Sequence, residues 1–227
     1  MRLKELNEQE KEQERIRLHR MFALERELHN RGYRLVAGVD EVGRGPLAGP
    51  VVACAVIFTR ECPLYGLKDS KLLSPRQREI LLPQILRNAL TIGIGIARVE
   101  EIDKLNIHNA ALQAMARAVS RLSPAADYIL VDGRHKISLT SPAPQKAIKG
   151  GDRISLSIAA ASVVAKVVRD RFMISLGERY PSYGFEKHKG YPTAEHREAI
   201  ARFGALPVHR RSFKLLGKKE FFHEPLA

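Results

Sequence analysis

The stretch LVAGVDEVGRGPLAGPVVACAVIF, residues 35–58, decides how the rest of the chain is interpreted. Two short apolar runs flank a loop of glycine and proline, a pattern typical of two adjacent strands. The first run ends at neighbouring carboxylates, Asp40 and Glu41, and a Gly-Arg-Gly sequence follows at 43–45. Because adjacent strand residues point to opposite faces, both acids reach one site only if the chain leaves the strand there. The two glycines would permit that departure.

Composition limits the function classes. The chain has 227 residues and is 44% hydrophobic, which fits one large domain, with or without an appendage, and excludes wholesale disorder. Its net charge of +13 favours a polyanionic partner, either nucleic acid or an anionic membrane surface. No apolar run reaches the roughly 18 residues of a membrane span, and no secretory signal is present. Cys54 and Cys62 fit no zinc or redox spacing, so we expect a reducing cytoplasm.

Hydrophobic patterns predict an order of strands and helices. Residues 2–31 hold eight Lys and Arg against seven Asp and Glu, which indicates a solvated helix or pair of helices packing one edge on the domain. After an initial pair of strands, strands alternate with helices, which favours a mixed α/β sheet. Strands are predicted at 33–40, 51–58, 90–99 and 127–133, and helices at 74–86, 101–122, 155–180 and around 194–203.

A basic, aromatic segment closes the chain. Residues 178–219 carry ten Lys and Arg against four Asp and Glu, with aromatic residues between them. Such rings can stack on sugars or bases while the cations follow phosphates, although a small satellite core is the alternative. Tyr191, held between a glycine and a proline, is the least core-like of these rings and could lie against a sugar. His188 and His209 fit no metal motif and are expected near phosphates or solvent.

The acidic residues at strand ends predict a cation site. Asp132 ends the strand predicted at 127–133, as Asp40 and Glu41 end the first. Functional groups gather at the carboxyl ends of strands in α/β sheets, so neighbouring strands would bring these acids together. Close carboxylates repel, and a divalent cation such as Mg²⁺ removes that conflict. The alternatives are an ordinary Asp-Gly turn at Asp132 and a turn cap at Asp40.

A fourth acid cannot be chosen from the residues alone. Asp152 precedes a long predicted helix and is a natural N-cap. Asp170 follows Lys166 by four residues, where an ion pair along the helix is the usual role. Asp69 lies in a polar turn, and Asp103 resembles the cap of the next helix.

Six segments follow one another along the chain: AGVDEVGRGPLAGPVVACAV, LKDSKLLS, ILVDG, KGGDRISLSIAAASVVAKVVRDR, YGFEKHKGYPTAEH and VHRRSF. In this order they resemble the ribonuclease HII family, and the resemblance runs from about residue 33 to 214. It implies an α/β chain with an RNase H-like fold, in which a central mixed β-sheet is flanked by helices and followed by a helical C-terminal part. Together with the charge pattern of the N-terminal residues, it leads us to expect an N-terminal helical extension at 1–31, a catalytic core at 32–180 and a basic region at 181–227 that completes the nucleic-acid cleft.

The resemblance implies a four-carboxylate site holding Mg²⁺ or Mn²⁺. Its members are Asp40, Glu41, Asp132 and Asp152, the last preceded by one more glycine than the family motif has. Asp152 is favoured over Asp170 because the downstream SLSIAAAS falls at the family's offset from it.

The resemblance also implies the substrate and its contacts. The substrates are RNA–DNA hybrids and DNA containing single ribonucleotides, cut 5′ to the ribonucleotide by a monomer to leave 5′-phosphate and 3′-hydroxyl ends. The family's Gly-Arg-Gly backbone touches a ribose 2′-OH, and its tyrosine packs on the adjoining deoxyribose. Two alternatives remain, a non-catalytic hybrid-binding module and a DNA-directed nuclease of the same fold. The implied substrate-binding residues are Gly43, Arg44, Gly45 and Tyr191, with Lys68, Ser70 and Lys71 as phosphate contacts.

Overall fold

The computed structural model describes residues 7–140 and 143–216. Five strands form one sheet, flanked by helices on both faces. The strands are β1 (Val36–Val42), β2 (Val51–Ile57), β3 (Thr91–Ala97), β4 (Tyr128–Asp132) and β5 (Gln145–Ile148). The helices are α1 (Glu8–Met21), α2 (Ala23–Asn30), α3 (Pro75–Asn88), α4 (Val99–Leu105), α5 (Ile107–Ser120), α6 (Leu156–Arg179), α7 (Phe185–His188) and α8 (Ala194–Phe203).

The sheet is mixed, as predicted, in the order β3-β2-β1-β4-β5. The β1, β2 and β3 strands pair antiparallel, whereas β4 runs parallel to both β1 and β5. Strand β5 was not predicted, because this four-residue edge strand is only partly buried and lacks a strong apolar pattern. Because β1 and β4 are parallel neighbours, their carboxyl ends meet at one edge of the sheet.

Helices α5 and α6 cover opposite faces of the sheet and bury its two hydrophobic layers. The start of α6 lies directly on β1 because Gly38 has no side chain, and a Cβ built there would stand 2.6 Å from Ser157 Cβ. This close approach fixes the first turn of α6 relative to the end of β1. None of the helices in the part of the chain that the structure describes is long and apolar enough to cross a bilayer.

The single helix predicted over 101–122 is in fact two helices, α4 and α5. Asn106 separates them with φ 68°, and its side chain accepts hydrogen bonds from the His108 and Asn109 amides, both at 3.0 Å. Asparagine tolerates positive φ and is a preferred N-cap, which explains the break. The prediction that Asp103 caps the next helix was wrong, because it lies within α4 and binds the Ser212 hydroxyl at 2.6 Å.

The N-terminal segment forms a pair of helices that enters the core. Leu18, Met21 and Phe22 are buried in the layer formed with α6. Glu25 is fully buried, and its Oε1 accepts hydrogen bonds from the Ser155 hydroxyl at 2.6 Å and the Ser157 amide at 2.9 Å. The segment was predicted to pack only one edge on the domain, but Glu25 stabilises the first turn of α6. The division into three segments at residues 31 and 180 stays a prediction.

Glu25→Gln is expected to make stability less dependent on pH. Burial raises the pKa of Glu25 above its ordinary 4.5, so the folded protein binds this proton more tightly than the unfolded chain. Its contribution is present below about pH 4.5 and is lost as the pH rises through the folded-state value. Gln keeps the accepting oxygen and does not ionise. The melting temperature of the variant relative to wild type should therefore rise between pH 4.5 and 8, and a constant difference would contradict the assignment.

Candidate active site

The parallel pairing of β1 and β4 brings three acids together. The register sets Val39 opposite Val131, so Asp40 and Asp132 are adjacent at the strand ends. Asp152 follows β5 on a 3₁₀ turn, Gly151–Arg153, and the Gly151 amide donates a 2.7 Å hydrogen bond to Asp132 Oδ1. Asp40 is 6% exposed and Asp152 7%. Asp132 therefore lies between Asp40 on the neighbouring strand and Asp152 from a different part of the chain.

Asp152 does not cap the long helix. Ser155 is the N-cap of α6, and its hydroxyl accepts from the Ile158 amide at 3.2 Å. Asp170 pairs with Lys166 at 2.6 Å, as the spacing along the helix indicated, and also with Arg78 at 3.2 Å. The capping role is therefore wrong for Asp152, whereas the ion pair at Asp170 is confirmed.

The chain does not leave β1 at the two adjacent acids. The strand continues to Val42, so the predicted departure at Asp40 and Glu41 was wrong. Asp40 faces α6, whereas Glu41 faces α5 and lines a cavity of about 80 Å³ with Asp132. Arg44 also lines this cavity, 3.5 Å from Glu41 Oε1. Glu41 therefore approaches the other acids from the face of the sheet opposite to that of Asp40.

The electrostatics of the group are those of crowded, buried carboxylates. Burial raises the pKa of Asp40 well above its ordinary value, and the nearby Glu41 and Asp132 raise it further. Burial also raises the pKa of Glu41. The pKa of Asp152 is raised to about 6 by burial first and then by Asp69 and Asp132. Ionised carboxylates in this arrangement repel one another, and a bound cation would relieve that repulsion.

The chemistry of these side chains fits a hard divalent cation. All four predicted ligands offer carboxylate oxygens, which Mg²⁺ and Mn²⁺ prefer. Within residues 7–140 and 143–216, no group of three or more His, Cys, Asp and Glu side chains is arranged to hold a metal ion as it stands. Sharing one ion would therefore require these carboxylates to change rotamer.

Two buried arginines hold the loop that follows β1, residues 43–50, which we call the GRG loop. Arg210 donates hydrogen bonds to the carbonyls of Gly43, Arg44, Pro46 and Gly49 at 2.6–3.0 Å. Arg169 donates to the carbonyls of Ala48 and Pro50, at 3.1 and 3.0 Å, and to that of Lys189 at 3.1 Å. Both guanidiniums are fully buried, and no carboxylate among the described residues lies within 4.0 Å of either. Their charge is therefore balanced by loop carbonyl dipoles.

The structure brings Tyr191 to the GRG loop. A Cβ added to Gly45 would lie 3.7 Å from Tyr191 Cε1, and the tyrosine is 38% exposed. Gly43 has φ 100° and needs glycine for its backbone, whereas Gly45 does not have a positive φ. A side chain at position 45 would therefore contact the tyrosine ring.

The three predicted phosphate contacts occupy different places. Lys71 is exposed, and its charge lowers the pKa of Asp152, so it faces the acids. Lys68 is exposed near Glu14 of α1. Ser70 is 2% exposed, and its hydroxyl accepts a 2.8 Å hydrogen bond from Ser162, which places it behind the surface. Only Lys71 combines exposure with proximity to the acids.

Sequence reasoning missed several residues that shape the site. Arg169 and Arg210 lie within quoted motifs, but no role was given to them. Asp69 was considered a turn residue, yet it lies beside Asp152, and its Oδ1 accepts from the Lys71 amide at 3.0 Å. A cation on the buried face of an apolar helix, as in VVAKVVRDR, was the one available signal for Arg169.

Comparisons with known proteins show the family and the fold. The Ribonuclease HII family model matches residues 37–216. A ribonuclease HII from Syntrophotalea carbinolica is 55% identical over 197 residues, 87% of this chain and 92% of that protein. The crystal structure of ribonuclease H2 from Pyrococcus horikoshii OT3 has a TM-score of 0.68 and 28% identity, and the match covers 80% of this chain and 94% of that one.

A more distant structure shares the fold alone. Bst-RNase HIII in complex with Mn²⁺ matches with a TM-score of 0.60 at 20% identity, over 82% of this chain and 63% of that one. The mixed sheet, its flanking helices and the extent of the match to the family model all agree with the sequence prediction. The chain belongs to the ribonuclease HII family, metal-dependent endonucleases that cleave the RNA of RNA–DNA hybrids.

Proposed function

We propose that this chain also cuts 5′ to single ribonucleotides embedded in duplex DNA, leaving 5′-phosphate and 3′-hydroxyl ends, and acts as a monomer. The supporting observation is that the GRG loop links the acids to Tyr191: Arg44 is 3.5 Å from Glu41, and Gly45 faces the exposed ring of Tyr191. A ribose and its neighbouring deoxyribose would lie over this exposed surface, with the scissile phosphate beside the carboxylates.

The ribonucleotide is recognised by the loop backbone. A 2′-OH is the group that distinguishes RNA from DNA, and it can both donate and accept a hydrogen bond. Gly45 is exposed and would offer its backbone to this hydroxyl, while Gly43 is buried and Arg169 and Arg210 hold the loop in place. Tyr191 packs on the adjoining deoxyribose, and Lys71 contacts a phosphate.

Asp40, Glu41, Asp132 and Asp152 would hold Mg²⁺ or Mn²⁺. A divalent cation there supplies an acidic water near neutral pH and charge stabilisation for the departing 3′-oxygen. The chain's own contribution is to fix these carboxylates at the sheet edge, partly through the Gly151 amide on Asp132. The net positive surface holds the duplex, so affinity falls as salt rises.

Three duplexes test this function: one with a single ribonucleotide, one all-DNA and one RNA–DNA hybrid, each with Mg²⁺, Mn²⁺ or EDTA. We expect metal-dependent cutting of the first and third, with the all-DNA duplex intact. Equal cutting of all-DNA duplex would indicate a DNA-directed nuclease of the same fold. Tight binding without cutting under every metal condition would indicate a binding module.

Gly45→Ala is expected to impair cutting without harming the fold. The added methyl meets only Tyr191 at ordinary contact distance, so stability should change by less than about 0.5 kcal/mol. The same methyl fills the space proposed for the sugar, and kcat/KM on the single-ribonucleotide duplex should fall about tenfold or more.

Gly43→Ala is the contrasting variant for this experiment. It combines φ 100° with a Cβ placed 2.8 Å from the Pro50 carbonyl, so its melting temperature should fall. Wild-type cleavage by Gly45→Ala would refute the placement of the sugar.

A further inference from the structure

The segment that carries Tyr191, residues 188–193, has an unusual backbone, and we call it the tyrosine loop. Lys189 and Gly190 have consecutive positive φ values of 53° and 81°. A non-glycine residue in this region costs free energy and persists only where surrounding contacts hold it. On one side the Leu47 amide donates to the Gly190 carbonyl at 2.7 Å. Arg169 also donates to the Lys189 carbonyl, and a further set of contacts reaches the loop at Tyr191.

Three histidines supply that further set. His209 Nδ1 accepts from the Leu206 amide at 2.8 Å, and His209 Nε2 is 3.1 Å from His196 Nε2. His196 Nδ1 is 2.9 Å from the Tyr191 carbonyl. These contacts form one continuous chain of hydrogen bonds that ends on the backbone of the tyrosine. The sequence prediction that His209 lies near phosphate or solvent was wrong, because its exposure is 1%.

The direction of every hydrogen bond in this chain is fixed by its first donor. An amide only donates, so Nδ1 of neutral His209 carries no proton and its Nε2–H donates to His196. His196 therefore accepts at Nε2 and carries its own proton on Nδ1, which donates to the Tyr191 carbonyl.

The tautomer of the third histidine, His188, is assigned from its hydrogen bonds in the same way. His188 Nδ1 accepts from the Gly190 amide at 3.1 Å, so its Nε2–H donates to the Tyr183 carbonyl at 2.7 Å. Its ring stacks on that of His196 with centroids 4.3 Å apart. The prediction of a phosphate or solvent role for His188 was likewise not met, because both ring nitrogens bind backbone.

All three rings are neutral at physiological pH. Burial lowers the pKa of His196 to about 4, and it also lowers the pKa of His188 and His209. An extra proton on His196 would place two N–H groups against each other, so the charged form is incompatible with the chain of bonds. The charged groups that face this cluster are the cations Arg197 and Lys189 and the anions Glu186 and Glu195.

We propose that His188, His196 and His209 are positioning residues for the hydrolysis, forming a neutral relay of fixed tautomers that sets Tyr191 beside Gly45. The relay acts on the reaction only through the tyrosine, so the inference rests on the proposed role of Tyr191 at the sugar. Its effect should be greatest where that ring reads the junction between a single ribonucleotide and DNA. Continuous RNA–DNA hybrid should depend on it less.

Two substitutions at His196 separate positioning from packing. His196→Phe keeps an aromatic ring against His188 but removes both hydrogen bonds, and His196→Asn keeps a donor near the Nδ1 position. Relative to continuous hybrid, kcat/KM on the single-ribonucleotide duplex should fall about 5- to 10-fold in the Phe variant, as expected for one or two lost hydrogen bonds. The Asn variant should recover most of it. His19→Phe, an exposed histidine on α1, is the matched control and should be unchanged.

The tautomers provide a readout that is independent of activity. Long-range proton–nitrogen NMR on the intact chain should show Nδ1–H for His196 and Nε2–H for His188 and His209, with no titration of His196 between pH 7.5 and 5.5. Another tautomer at His196, or a titration within that range, would overturn the relay.

Tyr191→Ala separates failure of the relay from failure of the proposed function. If Tyr191→Ala lowers the selectivity for single ribonucleotides and His196→Phe does not, the relay does not position the tyrosine. If neither variant changes selectivity while the NMR tautomers are as assigned, the sugar-reading role of Tyr191 fails and the structural relay stands.

Discussion

Asp40→Asn should abolish cleavage and raise stability in the same protein. The buried carboxylate is a proposed ligand, and its loss should lower kcat by about 10³-fold or more, beyond the effect of one transition-state hydrogen bond. The pKa of Asp40 is raised by burial and by its acidic neighbours, so its ionised form destabilises the metal-free fold at pH 8. Neutral Asn removes that cost and can still accept from the Glu41 amide at 2.7 Å.

The measurement combines cleavage with thermal unfolding in EDTA. Each 1 kcal/mol or so relieved should raise the melting temperature by about 2–4 °C for a chain of this size. Binding to hybrid at low salt should persist, because the basic surface is unchanged. Retained turnover would show that Asp40 is not a ligand, and a lower melting temperature would show that its carboxylate is not under repulsion.

Asp170→Asn is the matched control, with the opposite expected outcome. Asp170 is nearly as buried but pairs with Lys166 and Arg78. Removing its charge leaves two cations without their partner, which should cost about 1–3 kcal/mol of unfolding free energy. Cleavage should stay near the wild-type rate because Asp170 lies outside the group of acids. The pair of variants therefore separates a carboxylate that the fold needs from one that the reaction needs.

Arg210→Met should have the largest effect on the GRG loop. The side chain donates to four loop carbonyls, and a thioether of similar length leaves all four without this partner, three of them in the buried residues Gly43, Pro46 and Gly49. Removing the buried charge recovers some desolvation cost, but each orphaned carbonyl costs about 1–3 kcal/mol before relaxation. We expect a net loss of about 2–4 kcal/mol and a fall of about 100-fold or more in kcat/KM on single ribonucleotides.

Arg211→Met provides the control at the next position. Arg211 is exposed, so its substitution should change stability by less than about 0.5 kcal/mol. Arg210→Lys should fall between wild type and Arg210→Met, since an ammonium has three donors and lacks the planar fork. Unfolding in urea and the three-duplex cleavage assay measure both effects. A wild-type profile for Arg210→Met would show that the loop keeps its conformation without this side chain.

The sequence was most informative where chemistry and secondary structure coincide. Asp40 and Asp132 were recognisable because each ends a strongly apolar run, and the resemblance identified Asp152. The face of the sheet on which Glu41 lies was not predictable, because the sequence does not show that β1 continues through Glu41 to Val42. The break between α4 and α5 at Asn106 could have been predicted from the capping preference of asparagine. The apolar residues continue at helical spacing across it, which favoured a single helix.

The supporting residues could not be predicted because their partners are distant backbone atoms. Arg210 is separated by 167 residues from the Gly43 carbonyl to which it donates. A backbone carbonyl is the same in every residue, so the sequence carries no mark of such a contact. The same applies to His196, whose partner is the carbonyl of Tyr191. Tertiary structure alone reveals which buried polar side chains hold loops.

Helix α6 fixes the distance between two parts of the site. Its 24 residues span about 36 Å, and its two halves contact different loops. The beginning adjoins Asp152 and lies on β1, while Arg169, more than three turns later, binds both the GRG loop and the tyrosine loop. The spacing between Asp152 and the two loops is therefore set by a stiff helix. Adding or deleting one residue inside this helix would rotate one end by about 100° against the other.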